Sequence, residues 1–363
     1  MIVRTLQFRD GGLRDPDRGG APTLPGGVKG RPLTFCATQC ARVWGSGKRI
    51  ARSAGRFPYA AEMTDLPDPA EAFRSIRGQT RGEELQSHMD IKMLLDRIPR
   101  FVSQAEKLSK TSSTSGSELD VDDSVTNPIQ LSHLVTYCQL VAIDNLRAVR
   151  EILNPDGGDV VTFPIVAVYP LLRSVMESSS LALWILESDD QSTRVTRLLR
   201  ARATDIVFDD QLTGIVLGPL PTTGRAERSE WNKATREAAA AKKRRRGYIQ
   251  AIADELGVPM VEIDQGTPGF GELNGLAAAR SGIPEEMGRA VWHYISGLTH
   301  PSPSRGASAS ALDEVGPKVA NILNVRVTAN LGQVHLALIV AMHHYRRADQ
   351  LLRFRMLKVA ARN

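Results

Sequence analysis

Residues 160–186 read VVTFPIVAVYPLLRSVMESSSLALWIL, apolar on nearly every face. A helix that is hydrophobic all round belongs in a core or a membrane. In its middle stand Arg173 and Glu177, four residues apart, a spacing that lets the two side chains pair on one helical face. Burying an ion pair is costly and often adds no net stability. The pair therefore marks either a polar pocket or a device that fixes helix register. The same charges, with four serines and two prolines, make insertion into a bilayer expensive, so the segment reads as a buried helix and no membrane partner is expected.

Outward from this helix the pattern stays helical. Aromatic residues make up 5% of 363, and β-branched runs are few, which argues against an all-β protein. Periodic apolar positions predict a helix over 83–110, then a polar connector, TSSTSGSELDVDDSVTNP, over 111–128. Pro128 suits the first turn of the next helix, capped by Asn127 and stopped near Leu153 by NPDGG. The hydrophobic helix follows, with Pro170 marking a kink or its true start. Further helices are expected over 190–217 (Ser192 as a cap), 226–256 ending at Gly257, and 284–299. Residues 257–275 and 299–310 read as loops, and Pro317 as the opening of a final helix to about Met356. No strand pattern emerges that would build a sheet. The fold expected is all-α, an up-and-down bundle of about six to seven helices.

The formal charge of +6 would suggest a nucleic-acid partner until it is located. Residues 1–62 hold eleven Lys/Arg against four Asp/Glu, a surplus of seven, which leaves 63–363 at −1. The first 62 residues, with DGGLRDPDRGGAPTLPGG, lack a sustained period and read as a disordered basic tail. A second reading is a misassigned start, since Met63 opens MTDLPDPAEAF where the composition changes. Residues 63–363 then form a single domain. The three cysteines, Cys36, Cys40 and Cys138, show no framework spacing, and no export signal is visible, so a reducing cytoplasm is the expectation.

The common catalytic motifs are incomplete. Gly45–Arg49 resembles the end of a P-loop but lacks Ser/Thr after the lysine. Cys36 and Cys40 have no second pair of ligands, and His335, His343 and His344 do not have metal-ligand spacing, so neither metal nor cofactor is expected. Lys242–Arg246 is a five-residue basic block able to meet phosphates, or else a solvated face balanced by Glu227, Glu230 and Glu237. In WHYISGLTHP (292–301) a helix carries Tyr294 and ends near Gly297, placing His300 at its C-terminal edge. A histidine there can serve proton transfer, or it caps terminal carbonyls.

RSVMES (173–178) within an apolar helix, followed far downstream by YISGLTHP (294–301), resembles a group of uncharacterised bacterial helical proteins similar in fold to HEPN domains, which serve toxin, abortive-infection and RNA-processing systems. The resemblance covers roughly residues 85–355. It implies a helical bundle, often dimeric, with Arg173, Glu177, Tyr294 and His300 converging between helices. Active ribonucleases of that kind carry arginine and histidine close together on one helix; here they lie on different segments, and Arg289–His293 is too short a match.

The expectation is thus a cytoplasmic, homodimeric protein that binds RNA or a nucleotide. As a metal-independent endoribonuclease it would use His300 as general acid/base and Arg173 to stabilise the phosphate, with Glu177 orienting Arg173 and Tyr294 positioning the phosphate. The alternative is a non-catalytic helical module that binds a protein partner, in which Arg173–Glu177 is a structural buried pair.

Overall fold

Capping and apolar periodicity set the helices of this chain. The computed structural model describes residues 5–9, 66–69, 81–222, 224–315 and 322–359. Among them the order is β1 (Thr5–Arg9), α1 (Arg81–Leu108), α2 (Glu118–Thr126), α3 (Leu131–Leu153), α4 (Val168–Leu186), α5 (Gln191–Leu217) and α6 (Arg225–Leu256). There follow α7 (Met260–Ile263), α8 (Phe270–Arg280), α9 (Glu285–Leu298), α10 (Pro303–Ser308), β2 (Ser310–Glu314), β3 (Ile322–Ala329) and α11 (Leu331–Leu357). The fold is all-α, with one small sheet. The tail expected over 1–62 falls largely on residues outside those described, as do Cys36, Cys40 and Gly45–Arg49.

Several boundaries differ from the sequence expectation for local reasons. The polar connector contains α2, because Ser117 caps it by accepting from the Asp120 amide while Asp120 accepts from Gly116. The peptide Asn127–Pro128 is cis, and α3 begins at Leu131, so Pro128 lies outside the helix. Pro170 sits in the first turn of α4, where its missing N–H costs nothing. Asp190, not Ser192, caps α5; its carboxylate accepts from the Thr193 amide at 2.7 Å. The expected loops at 257–275 and 299–310 contain α7, the start of α8, and α10. Pro317, expected to open the last helix, lies outside the described residues. Strands β2 and β3 pair antiparallel, β1 adds to the other side of β3, and α11 starts at Leu331.

The chain divides into two compact units. The first draws on residues 1–96, 149–172 and 290–339, and holds the sheet, α10 and most of α9. Its buried side chains include Ile91, Leu94, Leu95, Tyr169, Ile295 and Val334. The second draws on residues 97–148, 173–289 and 340–363. One apolar cluster there joins Leu131, Val135, Leu183, Leu186, Leu198 and Leu352. A second, around Val195, Leu199, Ile206, Ile249, Ile252 and Ile263, fastens the base of α5 to α6 and α7. Beyond Ile206 and before Ile249, α5 and α6 run on as an antiparallel hairpin with almost no buried residue.

Candidate functional site

Arg173 and Glu177 meet as their spacing predicts. The Arg173 Nε donates to Glu177 Oε1 at 2.7 Å in the second unit. The pair is half-buried rather than enclosed, with side chains 29% and 19% exposed. Tyr294 and His300 belong to the first unit. The Tyr294 hydroxyl donates to Gln333 on α11, and its ring stands edge-on to Tyr169 at 6.1 Å. Burial pushes the Tyr169 phenol above its ordinary range. His300 is exposed just past α9. Within the same unit Arg305 of α10 lies against Gly297, where any Cβ would collide with its guanidinium. Sequence reasoning passed over Arg305.

The enclosed ion pairs of the second unit are elsewhere. Arg194 and Asp122 have side chains 2% and 0% exposed, joined by two parallel bonds at 2.7 and 2.8 Å. The third nitrogen of Arg194 donates to the Ser188 and Asp189 carbonyls, so the guanidinium is well satisfied. Arg355 repeats the device, donating to Glu118, to the Leu186 and Ser188 carbonyls and to the Asp189 carboxylate. Two arginines thereby occupy the open carbonyls at the end of α4 and in the turn beyond it. Burial raises the Asp122 carboxyl against the pull of Arg194. Burial also acts to raise Glu118, but Lys358 and Arg355 outweigh it and hold that carboxyl low. Glu118 and Asp122 lie four apart behind a Ser117–Asp120 capping signature; that was the legible clue.

Ser180, Asn274 and His344 form a closed polar cluster. The Ser180 hydroxyl donates to Asn274 Oδ1 at 3.0 Å and lies 3.4 Å from His344 Nδ1. All three residues are buried, so these groups meet no substrate from solvent. Burial, helped by His343, pushes the His344 pKa down to about 3, leaving it neutral.

An open cleft of 520 Å³ lies at the base of the α5–α6 hairpin, in the second unit. Pro128, Ile129, Ile206 and Ile249 form its apolar floor. Arg202, Asp205 and Asp209 of α5 face Arg245 and Tyr248 of α6, with His133 of α3 and Phe208 at the margin. Phe208 is 63% exposed and Tyr248 42%. Asp209 pairs with Arg245, whereas Asp205 meets Arg202 only at 3.4 Å. Burial raises the Asp205 carboxyl, Arg202 opposes this, and Asp209 adds to it.

The basic block runs into this cleft. Lys242 pairs with Asp210 at 2.6 Å, Arg245 with Asp209, and Arg246 with Asp264. The balance comes from these aspartates rather than from Glu227, Glu230 and Glu237. Lys243 and Arg244 are exposed with no acidic partner among the described residues. Of the arginines of α5, Arg197 and Arg200 lie over the Trp184 ring, at 5.5 and 5.3 Å, and bond to backbone carbonyls. Arg202 lines the cleft. Among the described residues no helix is long and apolar enough to cross a membrane. No protein-family model, curated protein or solved structure matches the chain.

Proposed function

We propose that this protein binds RNA or a free nucleotide at the cleft between α5 and α6. One observation carries the reading: two arginines and two exposed aromatic rings share a 520 Å³ cleft that continues into a basic helix edge. Arginine and aromatic faces are the pair that single-stranded nucleic acids use, one for phosphate and one for base stacking. Lys243 and Arg244 extend the phosphate track beyond the cleft.

Binding, and not cleavage, is the activity best supported. Metal-independent cleavage would fall to His300, exposed in the first unit with Tyr294 and Arg305 on flanking elements, while Arg173 is already engaged by Glu177 in the second unit. The test is titration of the full chain with fluorescent single-stranded RNA, beside Arg245→Ala and Tyr248→Ala, with EDTA present. Affinity lost tenfold or more in both folded variants supports the reading; unchanged affinity refutes it. Gel analysis of the same mixtures, with His300→Ala and Arg173→Ala added, decides whether RNA is cut.

A second reading concerns self-association. Leu212, Ile215 and Val216 recur at i, i+3 and i+4 on α5, all exposed, and Phe208 stands one turn earlier at the cleft margin. The acids between them, Asp209 and Asp210, are neutralised within the chain by Arg245 and Lys242. This uncharged stripe fits a second copy of itself, giving a two-fold dimer in the cytoplasm. Leu212→Glu with Ile215→Glu should convert a dimer to a monomer in sedimentation; a wild-type monomer refutes the reading.

A further inference from the structure

The cleft carries more acid than a phosphate site tolerates. Asp205 and Asp209 line it alongside Arg202 and Arg245, so its formal charge is balanced. A ligand that presented only phosphate would meet two carboxylates at close range and be repelled by them. The lining instead calls for a ligand with an anionic end and a separate edge of N–H donors. A nucleotide has that form.

The two carboxylates are not equivalent. Asp209 is tightly engaged by Arg245, whereas the Asp205–Arg202 contact at 3.4 Å is long and lies between neighbours on one helix. Asp205 is therefore the acceptor open to a ligand. Ile129, Ile206 and Ile249 line the same cleft and give it apolar surface for a base. Phe208 and Tyr248 supply ring faces at the rim.

Resting on the nucleotide-binding reading above, we propose that the cleft selects guanine, with the Asp205 carboxylate accepting from the base's N1–H and 2-amino group. Guanine alone among the common bases presents two adjacent donors on its pairing edge, a spacing that matches the two oxygens of one carboxylate. Adenine and cytosine place a ring acceptor beside their amino group, and a carboxylate repels it. Uracil flanks its single N–H with two carbonyl acceptors. Discrimination of this kind is strong because a wrong base leaves polar groups unpaired in the site. The N–H donors of Arg245 beyond the one held by Asp209, and those of Arg202, then meet the phosphate.

Calorimetric titration of the full chain with GMP, IMP, AMP, CMP and UMP tests this. The expected order is GMP tightest, IMP weaker for want of the 2-amino group, and AMP at least tenfold weaker than GMP. Asp205→Asn should bring GMP to the level of AMP, with melting curves confirming that the variant folds. Arg245→Ala should weaken every nucleotide alike. Equal affinity for GMP and AMP, with both still weakened by Arg245→Ala, overturns the guanine assignment and leaves the cleft as a nucleotide site. No binding of any nucleotide or of RNA overturns both.

Discussion

At Arg194 a guanidinium is held by two carboxylate oxygens and two carbonyls out of reach of water. Truncating it leaves Asp122 buried and unpaired, and such losses cost about 3–5 kcal/mol. Arg173→Ala breaks a pair that keeps partial contact with solvent, and its loss should cost less than that of the enclosed Arg194 pair. Urea unfolding of Arg194→Ala and Arg173→Ala should show this contrast. Equal losses would mean that Arg173 bears more structural load than its geometry implies. His344 supplies a pH signature. Its ordinary value of 6.5 in the unfolded chain exceeds the folded value of about 3, so between them only the unfolded chain binds the proton. Stability is therefore full above pH 6.5 and falls as pH drops toward 3, by about 1.4 kcal/mol per pH unit. Burial lowers His335 as well, so it contributes with the same sign. Between about pH 6.5 and 5, before the carboxylates titrate, His344→Asn should flatten the slope of stability. An unchanged slope would exclude His344 as its source.

Elements in this chain meet where small residues allow. Gly288 on α9 faces α8 so closely that an added Cβ would overlap the Ala278 methyl and lie 2.6 Å from the Asn274 carbonyl. Gly288→Ala should destabilise by about 1–3 kcal/mol despite the better helix propensity of alanine. Thermal melting checks the sign: a rise would show that the helices separate without loss. The length and ends of α5 and α6 follow from periodicity, and Gly257 closes α6 in the left-handed region at φ 67°. The short helices α2, α7 and α10 were hidden in polar stretches, since each buries only a few side chains and has no long apolar stripe. Strands β2 and β3 were hidden too, because eight residues or fewer give a weak alternation and their pairing is a property of two segments together.

Over the whole molecule, a net charge of +6 conveys little about where an anion binds. The surplus lies in residues 1–62, and the remainder is near neutral, so any nucleic-acid affinity at the cleft depends on local geometry. Lys243→Ala with Arg244→Ala should reduce the salt dependence of RNA binding. The slope of log K against log salt should fall by about 1.4, the share of two single-strand phosphates that these side chains neutralise. An unchanged slope would place the RNA away from the α6 edge. The sequence by itself determined the all-α class, the long helices and the Arg173–Glu177 contact, because each depends on spacing within one helix. Only the tertiary structure decided which charges are enclosed, that Arg194 and Arg355 close the end of α4, and that a cleft opens between α5 and α6. Those are meetings of residues tens to hundreds of positions apart, and a helical period carries no information about which faces of different helices come together.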